Sequence, residues 1–292
     1  MESGREILFG KPRGFTLVEL LVATVVLTVL ILLVAQLLSS ATTITTLGEK
    51  RLDADAQARA VLDRMAIDFS RMVKRPDVDY FVKSPTRPQR VNDQIAFYSE
   101  VPGYYSSDSF QSPVSLVGYR VNTNNGELER MGKGLLWNGA SQGNVSMVYL
   151  PLAIKNTWPA ATGESEDLDY ELIGPQVFRF EYGYLVKGRM LADGRSLPAV
   201  TSETPWDKRL DHTTFEGLRD VAAIIVYIAV IDSKGRALVG DLLAPLTREM
   251  DDFSEGQTLG QLESKWQRTI DSCALPHPAK SSIRIYRRVY PL

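Results

Sequence analysis

At 292 residues, with 44% hydrophobic and 23% charged side chains, the chain has the composition of a folded protein and the length of one large domain or two small ones. A net charge of −2 with no Lys/Arg block offers no footprint for nucleic acid. Cys273 is the only cysteine, which excludes an intramolecular disulfide, and His212 and His277 lie far apart in sequence, which argues against a zinc site.

A short basic leader carrying Arg5, Lys11 and Arg13 runs to Gly14. Phe15-Thr16-Leu17-Val18-Glu19 follows, and from Leu20 to Gly48 there is no charged residue. A helix rises about 1.5 Å per residue, so roughly 20 apolar residues cross a bilayer and this run suffices. Glu19 stands at its head, where a carboxylate is costly and is by default a functional hypothesis. Lys11 and Arg13 predict a cytoplasmic leader and an exported body. Two plainer readings stay open. Ser39-Ser40-Ala41 has the form of a secretory cleavage site, although the apolar run exceeds the usual signal length. A simple anchor also fits the apolarity, but it assigns no role to Gly14, Phe15 or Glu19.

Gly14-Phe15-Thr16-Leu17-Val18-Glu19-Leu20-Leu21-Val22-Ala23 resembles the class III signal of type IV pilins and type II secretion pseudopilins. The resemblance implies that a prepilin peptidase, a partner protein, cuts between Gly14 and Phe15 and methylates the new amine of Phe15. The chain is then a substrate and not an enzyme. It further implies that Glu19 of one subunit neutralises the amine of a neighbour in a filament, since two buried charges are each costly alone and recover much of that cost as a pair. The bland alternative places Glu19 at the interface, reaching lipid headgroups.

Beyond the apolar run, Ala58, Val61, Leu62, Met65, Phe69 and Met72 recur at three- and four-residue intervals, which marks one apolar helical face. Arg59, Asp63, Arg64, Asp68 and Arg71 fall mostly on the other side. Pro76 ends the pattern, so one helix is expected from Phe15 to about Arg75, roughly 90 Å by its rise. Thr42–Thr46 and Gly48 are places where it would break.

Pro76–Gln89 has the composition of a connector. Alternating apolar runs then predict strands at Gln94–Ser99, Val114–Asn122, Val145–Leu150, Gln176–Val186, Ala222–Asp232 and Ser281–Tyr290. Asn124-Asn125-Gly126 predicts a hairpin, and Asp232-Ser233-Lys234-Gly235 a second turn ahead of an extended Arg236–Val239. Pro102–Pro113, Thr157–Asp169 and Leu197–Thr214 have loop composition, and Leu259–Ser272 is a candidate short helix.

The expected fold is α+β: a long transmembrane helix that continues as an amphipathic spine packed on an antiparallel, β-rich, pilin-like domain. The expected divisions are a leader at 1–14, a transmembrane helix at 15–41, its amphipathic continuation at 42–75 and an exported domain at 76–292. Ala58–Ser70 with Arg64, Tyr119-Arg120-Val121 with its Gly-containing turn and Leu128-Glu129-Arg130, Phe178-Arg179-Phe180-Glu181-Tyr182, the Val221–Ile231 strand and Arg287-Arg288-Val289-Tyr290 look similar, in order, to J-type minor pseudopilins. Gln57–Tyr80 is similar to prepilin-like proteins encoded in multi-gene cassettes of Verrucomicrobia.

Other candidates carry less. Glu164, Glu166, Asp167 and Asp169, and separately Asp251, Asp252 and Glu255, form acidic clusters without EF-hand spacing, so solvated loops are preferred over calcium sites. Tyr98, Tyr104, Tyr105 and Phe110 have the makings of a recognition loop, with ordinary packing the plainer reading. The phosphate-cradling Gly-x-x-x-x-Gly-Lys-[Ser/Thr] pattern is absent. The expectation is a minor pilin or pseudopilin with no metal and no cofactor. Its partners are prepilin peptidase, other pilins and inner-membrane lipid, with none among nucleic acids. A single-span anchor that presents a non-polymerising binding domain is the alternative.

Overall fold

In the computed structural model the described residues are 16–74, 92–105, 108–122, 124–134, 170–213 and 218–292, with side chains described outside 40–53 and 104–112. The expected connector Pro76–Gln89, the strand Val145–Leu150 and the loop Thr157–Asp169 lie outside them. Helix α1 spans Leu17–Ser70. Its backbone stays helical across Thr42–Thr46 and Gly48, where the sequence suggests a break. The chain divides into two compact units after Lys50.

In the first unit, Leu17–Ser39 has a mean hydropathy of 3.0 and none of it is buried. In the second, the predicted face of α1 is the buried one: Ala58, Val61, Leu62, Met65 and Phe69 are all within the core. The helix stops at Ser70, because the chain then bonds to a strand edge. Val73 N donates to Tyr98 O at 2.9 Å, and Met72 forms a bridge with Ser99.

The strands of the second unit are β1 (Ile95–Ser99), β2 (Gly103–Tyr105), β3 (Asp108–Ser112), β4 (Ser115–Val121), β5 (Leu128–Gly134), β6 (Tyr170–Gly174), β7 (Val177–Val186), β8 (Arg189–Met190), β9 (Ser196–Leu197), β10 (Val200–Ser202), β11 (Val221–Ile231) and β12 (Ile283–Pro291). Among the described residues, β1, β4 and β5 form an antiparallel run, and β6 lies along the first half of the far edge of β5. The β2–β3 hairpin joins that edge further on, with Tyr104 paired parallel to Lys133. A second sheet has the order β10-β7-β11-β12, and β8 pairs with β9 alone. The predicted Asn124-Asn125-Gly126 turn joins β4 to β5, with Gly126 at φ +63°, a conformation that favours glycine.

Segments expected as loops are partly strands. Pro102–Pro113 contains β2 and β3, and Leu197–Thr214 contains β10 and a 3₁₀ turn at Lys208–Leu210. These strands are short and polar, and they take their order from a neighbouring edge and not from their own alternation. The expected turn at Asp232–Gly235 and extended Arg236–Val239 are instead helix α2 (Ser233–Val239). Asp232 caps it: its carboxylate accepts from Gly235 N at 2.6 Å, and its carbonyl accepts from Arg236 N at 2.8 Å.

Three further helices follow: α3 (Leu243–Glu249), α4 (Gln261–Ser272) and α5 (His277–Lys280). The α4 residues match the predicted short helix. Together α2–α5 cover the outer face of the second sheet, a layer the sequence reading did not anticipate. Central strand β11 is therefore buried on both faces. Ile224, Val226, Ile228 and Val230 face α1 and the first sheet, whereas Ile225, Tyr227, Ala229 and Ile231 face Leu246, Phe253, Leu262 and Trp266. Burying each large side chain contributes about 1.5–3 kcal/mol. The fold is α+β.

Two buried charge clusters tie the layers. Asp68 of α1 is fully buried and meets Arg130 of β5 at 2.7 Å and 3.0 Å, the Tyr119 hydroxyl of β4 donates to it, and Arg64 lies 3.5 Å away. On the outer face of the second sheet, Arg179 meets Glu181 at 3.2 Å and Asp252 at 2.7 Å, and Glu181 accepts from Phe253 N at 2.9 Å. Arg179 and Glu181 are both fully buried.

Candidate functional site

Of the predicted processing residues, Gly14 and Phe15 lie outside the described residues, and Glu19 lies within them. Helix α1 starts at a reciprocal cap. Thr16 N and Thr16 Oγ1 both donate to Glu19 Oε2, at 2.8 and 2.9 Å, and Glu19 N donates to Thr16 Oγ1 at 3.2 Å. This is the Thr-x-x-Glu capping box, worth about 0.5–2 kcal/mol to a helix start. Both bonds that Glu19 accepts land on Oε2. Its Oε1 accepts none among the described residues, so one carboxylate oxygen remains available.

Thr16 is a residue to which the motif itself assigns no role. The signal was present, because a Thr three residues before a Glu at the head of an apolar run is a helix-start signature. The sequence assigns Glu19 one function, and the geometry gives it two: it closes the helix start and presents a free oxygen.

Behind this cap the helix surface is apolar on every side. Leu17 is 82% exposed, and Leu20, Val26, Leu33 and Leu37 are likewise exposed. Two hydroxyls in the run are satisfied by its own backbone: Thr24 Oγ1 donates to Leu21 O and Thr28 Oγ1 to Thr24 O, each at 2.8 Å. Neither of these two hydroxyls is left seeking water, as residence in hydrocarbon requires. Each Leu or Val moved out of water contributes about 1.5–3 kcal/mol, so the run totals tens of kcal/mol. A carboxylate costs about 2.5–3.5 kcal/mol at a bilayer centre and less near its edge. The apolar surface wins, and Glu19 enters with it.

Other candidates disperse. Asp252 is committed to Arg179, Glu255 meets Lys208 at 2.7 Å, and the Asp251 carbonyl accepts from Trp266 Nε1 at 2.7 Å. Among the described residues no three His, Cys, Asp or Glu side chains are grouped to hold a metal. The Glu164–Asp169 cluster lies outside them. Tyr98 is buried in β1, and the side chains of Tyr104, Tyr105 and Phe110 are outside the described set.

His212 is not an isolated surface residue. Its Nδ1 is 2.6 Å from Oδ2 of the buried Asp220, which also meets Arg189 Nη2 at 2.5 Å and accepts from Asp207 N at 2.9 Å. Burial alone would raise the Asp220 carboxyl, but bonds from His212, the Asp207 amide and Arg189 hold it below the usual carboxylate range. The cluster fastens the 203–213 segment to the start of β11.

Residues 10–35 match the prokaryotic N-terminal methylation motif. No curated protein matches the chain.

Proposed function

We propose that this chain, which carries a prepilin-type amino-terminal motif of the type IV pilin and pseudopilin class, is a minor pilin or pseudopilin. Hydrolysis of the Gly14–Phe15 bond by prepilin peptidase frees a charged amine on Phe15, which is then methylated. The apolar part of α1 holds the chain in the inner membrane, with the second unit exported to the periplasmic side. The observation that carries the reading is the motif at the head of a helix whose apolar Leu17–Ser39 segment is nowhere buried.

In this reading Glu19 works in two stages. Before assembly, Thr16 satisfies its Oε2 and holds the helix start closed. During assembly, the Phe15 amine of a neighbouring subunit meets Oε1. A buried ion pair of this kind sets register more than it adds net stability. Apolar helices of other pilins then cover the exposed Leu and Val surface. The chain is a substrate of the peptidase and a building block, without catalytic residues of its own.

The test is mild cross-linking of membranes that express the chain with its peptidase, followed by purification and identification of linked proteins. The reading expects heteromers with other proteins that carry the same motif. A monomer under conditions that link a known filament subunit would contradict it and leave a single-span anchor.

A further inference from the structure

Among the described residues, no strand pairs with the long outer edge of β12 in the second sheet. Strand β12 pairs with β11 over all its residues, Ala223 opposite Pro291 through Ile231 opposite Ile283, with no register shift. Leu292 N donates to Ala222 O at 3.1 Å, which extends the ladder by one pair and fixes its phase. Residues at even positions of β12 therefore exchange hydrogen bonds with β11. Ile285, Arg287 and Val289 direct their backbone N–H and C=O groups away from it, and among the described residues no strand pairs with them.

Both faces of β12 are covered, whereas among the described residues no strand covers this edge. The Tyr290 hydroxyl donates to Leu62 O of α1 at 2.8 Å, and Tyr286 bonds to Asp55. On the other face, Ile283 and Ile285 join the α4 layer, and Arg287 meets Glu263 at 3.3 Å. Arg287 and Val289 are exposed. Such an edge is a template for strand pairing unless it is guarded. Of the customary guards, β12 has no lysine, no bulge and no proline before Pro291, and its only charges are arginines.

We infer that the β12 edge is a β-addition site for an extended, carboxylate-bearing segment of another protein. A second copy of this chain is a poor occupant. Symmetric antiparallel pairing through all three outward residues sets Ile285 opposite Val289 and Arg287 opposite its own copy, and like charges directly opposite are destabilising. The strand contains Arg284, Arg287 and Arg288 and no acidic residue. Arg284 has no carboxylate at ion-pair distance among the described residues, whereas Arg287 and Arg288 are held by Glu263 and Asp63. The fitting occupant carries one carboxylate opposite Arg287 and apolar side chains opposite Ile285 and Val289. A second carboxylate, opposite Arg284 on the other face, completes it. Backbone bonds give the affinity, and these alternate positions give the choice of partner. The inference stands on the second unit and does not depend on how the amino terminus is processed.

The test is residue-resolved amide hydrogen exchange on the full-length protein in detergent, with two synthetic peptides, TVTETVET and TVTKTVKT. The acidic peptide is expected to slow exchange at Ile285, Arg287 and Val289 by about tenfold, and the basic one to leave it unchanged. Val289→Pro removes an outward donor without touching the β11 ladder and is expected to abolish the slowing. Should that variant misfold, Arg287→Gln is expected to narrow the difference between the peptides. Equal slowing by both peptides, no slowing by the acidic one at about 1 mM, or slowing that grows with protein concentration alone would each overturn the inference.

Discussion

Asp68 and Arg130 form a two-bond ion pair at 2.7 Å and 3.0 Å between α1 and β5, with Asp68 fully buried. The Tyr119 hydroxyl completes the group, and burial followed by the charge of Asp68 raises that hydroxyl well above its usual range. The pair fixes how the amphipathic end of α1 sits on the first sheet.

Removing one partner leaves the other buried and charged. Asp68→Asn is therefore expected to cost about 3–5 kcal/mol, read as a fall in denaturation midpoint. Adding Arg130→Met to it should recover part of that loss. A double variant as unstable as the sum of the two singles would show that they do not act as a pair.

Acid should loosen the 203–213 segment from the start of β11. The Arg209 guanidinium holds the Asp207 carboxyl below its usual range, and Asp220 is lowered as well. A carboxylate with a depressed folded-state value adds stability above about pH 4, and that stability is lost as pH falls through the lower value. The melting temperature should fall in that window, and Asp207→Asn should flatten part of the fall. An unchanged acid limb in the variant would remove Asp207 from the account.

Gly183 sits under the Phe253 ring, where an added Cβ would come within 2.2 Å of ring carbons. Gly183→Ala is expected to destabilise by about 1–3 kcal/mol through overpacking, and Phe253→Leu in the same chain should relieve part of it. A fully tolerated alanine, measured by thermal unfolding, would contradict the close packing.

The two roles of Glu19 separate chemically. Glu19→Gln keeps an oxygen for the Thr16 cap and loses the charge, whereas Glu19→Ala loses both. Both variants should insert into membranes and be processed, and both should assemble poorly. Normal cross-linked heteromers from the Gln variant would remove the charge-pairing role and leave the cap.

The sequence made the amphipathic face of α1, the β4–β5 hairpin and the main strands legible, because each carries its own period or turn chemistry. The outer helical layer was harder to see. Phe178-Arg179-Phe180-Glu181-Tyr182 has the alternation of a strand with one wet face, yet Arg179 and Glu181 are fully buried. Their partners, Asp252 and Phe253, lie far along the chain, and no local pattern reports that distance. A register shift in β7 opposite Ala229 and Val230 further breaks the alternation, so Phe178 joins the outer cluster while Val177 and Phe180 join the inner one. The unbroken apolar run of β11 was the available hint, since such runs belong to strands covered on both faces. At the candidate site, the Phe15–Glu19 motif was plain and the Thr16 cap was readable from spacing alone. Which oxygen of Glu19 stays free required coordinates.

The most direct test of the central claim is the amino-terminal sequence and intact mass of the protein recovered from membranes. The account predicts a chain that begins at Phe15, with a single methyl group on its amine and residues 1–14 absent. A chain that retains the Gly14–Phe15 bond, or one that begins after Ala41, would contradict it.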